Sequence, residues 1–439
     1  MLVEALVGKR YSREIHHAIA DAIRDGELQS GQALPSVRAL AADLGVSPGT
    51  VSLAYRTLRE RGLITSGDRK RARVAAKPAV PAIGDMPVRP GIRDLRTVAP
   101  DTEMLPDVRR FLGAGSARSG EYAMQNVTAE LGAVMRGLFG GDGIDGHLTV
   151  TNGAHDAVER IALALVAPGS TVAVEDPGWI AGYGLLRTAG YALAGVDVDA
   201  RGLIPASLSA VMKQHHCAML LLQPRAQNPT GAALDAPRAE ELREILQEYP
   251  NCVVVEDDHV SLVSGSPAHS LTHGRRSWAV IRSMSKILGP DLRLAVMSSD
   301  RTTADLVQGR QALGPGWVSH LVQRSVAAML ADAACSARIA DAADAYRTRR
   351  EAFAGELAIR GIDVIGSSGF TLTVPVGDES TVCAELMARG WAVRAGELSR
   401  LSSPPFVRVC TADLSAADAR ALAADLSDIA NSLTRGRVL

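Results

Sequence analysis

Residues 283–290, "SMSKILGP", set one lysine among small and apolar side chains, directly after the apolar run Trp278-Ala279-Val280-Ile281. A short run that is apolar throughout is the pattern of a strand buried on both faces. Lys286 therefore stands at the exit of a buried strand, in a chain rich in arginine. Taken alone it reads equally well as a surface lysine, and the surrounding sequence has to decide.

Three more runs share the pattern: "STVAVED" (170–176), "CAMLLLQP" (217–224) and "CVVVEDD" (252–258), alternating with helical periodicity. The body of the chain is thus predicted to be α/β, with a mainly parallel sheet. Ligands on such sheets sit beyond the carboxyl ends of the strands. The polar residues after each run form a set: Glu256-Asp257-Asp258-His259, then Arg225-Ala226-Gln227 and Asn228-Pro229-Thr230-Gly231, then Ser283, Ser285, Lys286 and Arg293. Upstream, "LTVTNGAHDAV" (148–158) runs strand, turn, helix, and the free N–H groups at that helix start suit a phosphate. A lysine, a carboxylate, a phosphate cradle and an arginine together specify pyridoxal 5'-phosphate. Its aldehyde needs an amine, its ring nitrogen an acid and its phosphate anion donors.

In that order these motifs resemble the fold-type I aminotransferases over nearly the whole body. The resemblance implies that Lys286 forms the Schiff base, Asp257 binds the pyridine nitrogen and Asn228 bonds the phenolic oxygen. It gives the phosphate to Gly153, Ala154, His155, Ser283, Ser285 and Arg293. It makes Trp179 the stacking aromatic, Tyr122 a contact to the partner subunit's cofactor and Arg408 the anchor of a substrate carboxylate. A smaller α+β subdomain would occupy about 330–439. One departure is His259, which stands where the family has a tyrosine bonding the phenolic oxygen; another is Arg225-Ala226 ahead of the NPTG loop.

The first 76 residues read differently. Ile15, Ile19, Ala22 and Ile23 recur at helical spacing; Val37, Leu40, Ala41 and Leu44 line a second helix; Val51, Ala54 and Leu58 line a third. Gly45 makes the turn between the last two, with Ser47 at the N-cap and Pro48 at N1. "GLITSGDRKRARVAA" (62–76) then reads as two short strands around a basic tip. This is a winged helix-turn-helix, and it resembles the GntR family's DNA-binding domain. The resemblance implies a DNA surface of Ser36, Arg38, Ser47, Gly49 and Thr50, with Tyr55 and the wing residues Arg69, Lys70 and Arg71 on phosphates. Residues 1–76 carry 12 Lys and Arg against 8 Asp and Glu, whereas the other 363 carry 35 against 40. A basic head on an acidic body points to nucleic acid as a partner of the head alone.

Five scattered cysteines without a CxxC argue against disulfide or zinc frameworks. No stretch approaches the roughly 20 apolar residues of a membrane span. The expected location is the cytoplasm. A Pro- and Gly-rich linker (77–91) joins the head to a body at 92–439, and the composite resembles the MocR subfamily of GntR regulators. That resemblance implies a domain-swapped homodimer on an operator, sensing an amino-bearing carboxylate by aldimine exchange at Lys286. Three other readings stand beside it: a working aminotransferase with a DNA-binding head, a direct sensor of pyridoxal phosphate controlling vitamin B6 metabolism, and a scaffold that has lost its cofactor.

Overall fold

The computed structural model describes Leu6 and residues 8–24, 27–60, 63–66, 72–74, 88–112 and 126–436. The chain separates into two compact units, a head built mainly from its first 84 residues and a body built from most of the remainder. In the head, α1 (Ser12–Arg24), α2 (Val37–Leu44) and α3 (Pro48–Glu60) close over Ile15, Ile19, Leu40, Val51, Ala54 and Leu58, all fully buried. The apolar stripes of the three helices leave no other way to remove these side chains from water. The Ser36 side chain accepts from Ala39 N and caps α2, while Gly45 ends it at φ 63°, a left-handed geometry that glycine adopts without strain. Ser47 caps α3 by accepting from Thr50 N at 3.1 Å. Strands β1 (Ile64–Ser66) and β2 (Ala72–Val74) pair antiparallel, completing a winged helix.

In the body, β3 (Arg93–Asp94) precedes α4 (Ala129–Gly141), β4 (His147–Thr151), α5 (Ala154–Leu165), β5 (Thr171–Asp176) and α6 (Ile180–Thr188). There follow β6 (Ala192–Asp199), β7 (Gly202–Leu203), α7 (Pro205–His215), β8 (Met219–Leu222), α8 (Ala236–Gln247), β9 (Val253–Asp258), β10 (Trp278–Ser283) and β11 (Ala295–Ser299). The eight strands from β4 to β11 form one sheet in the order β4-β11-β10-β9-β8-β5-β6-β7. The four apolar runs are its centre: β5, β8, β9 and β10 run parallel, and β11 is antiparallel between β10 and β4. Every residue of β8 and β9 is buried, the three carboxyl residues ending β9 included.

Helices α9 (Arg301–Ala312), α10 (His320–Ala331) and α11 (Ala333–Ala358) lead to β12 (Thr371–Pro375), α12 (Glu379–Ala388), β13 (Trp391–Ala392), β14 (Arg394–Ala395), β15 (Phe406–Cys410) and α13 (Ala416–Gly436). Strands β12, β15 and β14 make a second, antiparallel sheet. Its apolar face packs Leu372, Val374, Val407 and Val409 against Leu386, Leu422 and Leu426. β13 takes β3 as a parallel partner. Asp176, buried at the end of β5, holds this region to the large sheet. Its carboxylate accepts from the backbone N–H groups of Leu401, Ser402 and Ser403 and from the Ser402 hydroxyl, at 2.7–3.2 Å. Among the described residues no helix is long and apolar enough to cross a membrane.

Candidate cofactor pocket and DNA surface

The carboxyl ends of β4, β5, β8, β9 and β10 bring together the residues singled out along the sequence. Asp257 lies opposite Ile281 in the β9–β10 register, which puts it one strand from the turn that carries Lys286. The Lys286 amine donates to the Val98 carbonyl. Burial lowers its pKa from the usual 10.5; the Arg408 and Arg293 cations lower it further, while Cys410 and Asp257 oppose them. A lysine so placed is more often a neutral, nucleophilic amine than one in water.

Asp257 is 1% exposed, and burial raises its pKa to about 7 against the opposing pull of Gln223 and Lys286. Gln223 Nε2 donates to its Oδ2 at 2.9 Å, and Oδ1 has no hydrogen-bond partner among the described residues. His259 is buried beside it, and neither ring nitrogen has a hydrogen-bond partner among the described residues. Burial, helped by the Lys286 cation, pushes its pKa down to about 4, so the ring is neutral at physiological pH.

At the start of α5, Gly153 has φ 90°, and a Cβ there would meet Arg293 Nη2 at 2.8 Å. The arginine thus lies against the open N-terminus of the helix, where backbone N–H groups and the dipole favour an anion. The rings of His155 and Trp179 are 4.6 Å apart, tilted by 57°. Ser283 and Ser285 are buried at the end of β10, with Ser285 N donating to Ser283 Oγ. Asn228 Oδ1 accepts from Arg408 Nη1 at 2.9 Å, and Arg408 Nη2 donates to the Arg96 carbonyl. Tyr122 lies outside the described residues.

Gln223, Glu175, Arg282 and Asp142 were not singled out from sequence, and they join Arg225 and Asp258, which were. Gln223 donates through its backbone N–H to Glu175 Oε2 at 3.1 Å, and its Oε1 accepts from Asn228 N at 2.8 Å. On the other side of β9, Arg225 holds Asp258 with both Nε and Nη2, at 2.8 and 2.7 Å. Arg282 Nε reaches the same carboxylate at 3.1 Å, its Nη2 pairs with Asp142, and its guanidinium lies 4.5 Å from the Phe139 ring centre. Burial alone would raise Asp258, but Arg225 and Arg282 together bring it below the usual carboxylate range.

On the head, Arg38 and Gly49 are exposed, and Ser47 and Thr50 bond to one another at the start of α3. Tyr55 corrects an expectation. It is 1% exposed, and its hydroxyl donates to the Pro35 carbonyl at 2.9 Å, so it is a packing residue rather than a phosphate contact. Arg69, Lys70 and Arg71 lie outside the described residues.

A winged helix joined in one chain to a fold-type I aminotransferase body defines a class, transcription regulators with an enzyme-derived effector domain. Residues 11–74 match the family of bacterial regulatory proteins, gntR family, and residues 142–426 match aminotransferase class I and II. The chain is 36% identical over 431 residues to the vitamin B6 salvage pathway transcriptional repressor PtsJ of Salmonella typhimurium, covering 97% of this chain and 100% of that protein. It is 27% identical over 407 residues to the regulator TauR of Rhodobacter capsulatus, covering 81% of each. The kynurenine aminotransferase of Pyrococcus horikoshii, solved in complex with PMP, superposes with a TM-score of 0.71 at 19% identity, over 78% of this chain and 91% of that one. The chain therefore belongs to the MocR-type regulators of the GntR family, whose aminotransferase fold is that of a pyridoxal-phosphate-dependent family.

The pocket fits that cofactor. Asp257 Oδ1 is a buried acceptor without a donor, the Gly153–Arg293 corner is a cradle that a single Cβ would fill, and Lys286 is the amine beside them.

Proposed function

We propose that this protein regulates transcription of vitamin B6 genes by reading pyridoxal phosphate at Lys286. The observation that carries the reading is the Lys286–Asp257 pair, one strand apart, beneath an anion cradle. The likeness to the PtsJ repressor across 97% of the chain supports the choice of signal. Bound there, the cofactor supplies an aldehyde that amines compete for. Lys286, whose burial favours the uncharged amine, would hold the cofactor through that aldehyde. Asp257 Oδ1 would take the ring nitrogen, Gly153, Ala154, His155 and Arg293 would take the phosphate with Ser283 and Ser285, and Trp179 would cover one ring face. The neutral His259 lies beside Asp257, where one of its nitrogens would donate to the ring's oxygen.

Arg408 favours a second signal. It is 4% exposed and directed at Asn228, so it is placed to anchor the carboxylate of an amino-bearing effector that displaces Lys286. In either case we take the active form to be a domain-swapped homodimer. Its two heads would bind half-sites on one face of the duplex, one or more turns of about 10 bp apart.

The test combines colour with DNA binding. A duplex selected from random sequence by the wild-type protein is titrated at fixed salt, with and without pyridoxal phosphate, and again with Lys286→Ala. The expected result is a near-visible absorbance band, lost in the variant, and an operator affinity that changes with cofactor only in the wild type. A colourless protein whose operator affinity ignores saturating cofactor overturns the proposal. A further change only on adding amino acids selects the Arg408 reading, and steady turnover of an amino acid with a keto acid selects an aminotransferase.

A further inference from the structure

Gln223 is 4% exposed, and its backbone N–H and both polar atoms of its side chain are committed. Its backbone N–H goes to Glu175, its Oε1 accepts from the backbone N–H of Asn228, and its Nε2 donates to Asp257 Oδ2. The Asn228 N–H can only donate, so the amide cannot flip: the oxygen must face Asn228 and the NH₂ must face Asp257. Asp257 Oδ2 is thereby held as an acceptor, and Oδ1 is left as the atom open to a ligand.

We propose that Gln223 is a positioning residue for ring recognition, pinning one oxygen of Asp257 so that the other meets a ring nitrogen bearing a proton. The inference rests on the pyridoxal phosphate reading above and adds to it the residue that sets selectivity for a nitrogen ring. The same amide ties Asp257 to the backbone of Asn228, so the contacts to the ring nitrogen and to the ring's oxygen are fixed by one side chain. Glu175 completes the unit in an environment that disfavours its charged form. It is fully enclosed, and desolvation raises it well above the ordinary range, with Asp257 adding to the rise and hydrogen bonds from Gln227 and Gln223 opposing it. The charged or titratable groups acting on Asp257 are Asp258 and Lys286, together with Glu175, whose own titration Asp257 disfavours. Lys286, the group that would bond the cofactor, is the one base among them, so the ring proton is the natural second partner of this carboxylate.

The experiment compares the affinity of the full-length protein for pyridoxal phosphate with that for an analogue in which carbon replaces the ring nitrogen. Loss of a hydrogen bond that orients a charged group is expected to lower the wild-type preference about tenfold in Gln223→Leu. The pH midpoint of the bound cofactor's spectrum is expected to move with it. Gln223→Glu, nearly isosteric, should restore the preference at low pH, where its carboxyl is protonated and donates, and lose it as the pH rises. An unchanged preference and pH profile in Gln223→Leu overturns the inference. So does equal weakening of both ligands in both variants, which marks a merely structural role. Wild-type protein that binds neither compound overturns the cofactor reading as well, so the two failures are told apart.

Discussion

The end of β9 has two sides that treat the same functional group in opposite ways. Asp257 and Asp258 are adjacent and both 1% exposed. Asp258 is wrapped by Arg225 and Arg282, with Asp142 joining behind them, and every formal charge in the group has a partner. Asp257 has an amide on one oxygen and nothing on the other among the described residues. The physical chemistry follows: one carboxyl is driven below its ordinary pKa and the other is raised to about 7. A fold that only needed stability would have paired both. The unpaired oxygen marks the side on which a ligand is expected.

The largest effect should come from breaking the paired side. Arg282→Met removes a cation from Asp258 and Asp142 while keeping much of its volume against Phe139. Stranding a buried charge should cost about 3–5 kcal/mol of stability, read from urea unfolding of the cofactor-free protein. A loss below about 1 kcal/mol would mean that water already reaches this network.

The ligand side should respond with the opposite sign. The folded-state pKa of Asp257 lies above its unfolded value, as does that of Glu256, raised to about 7 chiefly by burial. Folding therefore favours the protonated forms: their contribution is fully present below about pH 4 and is lost as the pH rises through about 7. Asp257→Asn should flatten this fall and stabilise the cofactor-free protein at pH 8 by about 1 kcal/mol, with no gain at pH 4. Thermal unfolding at the two pH values checks it.

The smallest effect is expected at Glu175. Because burial raises its pKa and favours its protonated form, Glu175→Gln should change stability by no more than about 0.5 kcal/mol at both pH 5 and pH 8. A loss that appears only at one of those values would show that it carries charge after all.

Much of this pocket was legible because strand-end residues on a parallel sheet converge whatever lies between them in sequence. That rule reached Asp257, Asn228 and Lys286. It also pointed at Gln223, the first polar residue after "MLLL", and at Glu175 in "AVED", which went unused because the family resemblance assigns them no role. Arg282 carried its own signal, a charge inside the apolar run "WAVIRS". Its partner Asp142 sits in the turn after α4, and nothing local marks it, because only the folded sheet brings the two together. Tyr55 is instructive in the other direction. It falls at the i+4 position from Val51, within the 51, 54, 58 stripe, so helical periodicity alone placed it in the core.

The carbonyls of Arg96 and Val98 lie two residues apart on one stretch of chain, and they receive the cations of Arg408 and Lys286. Lys286 and Arg408 therefore each hold a peptide oxygen before anything enters the pocket, so engaging either of them is an exchange of partners, whereas Asp257 Oδ1 offers a simple addition. A guest that engages either cation must outbid a peptide oxygen and leave that oxygen in search of a new donor. Its net affinity is set by the difference between the contacts it gains and the ones it displaces.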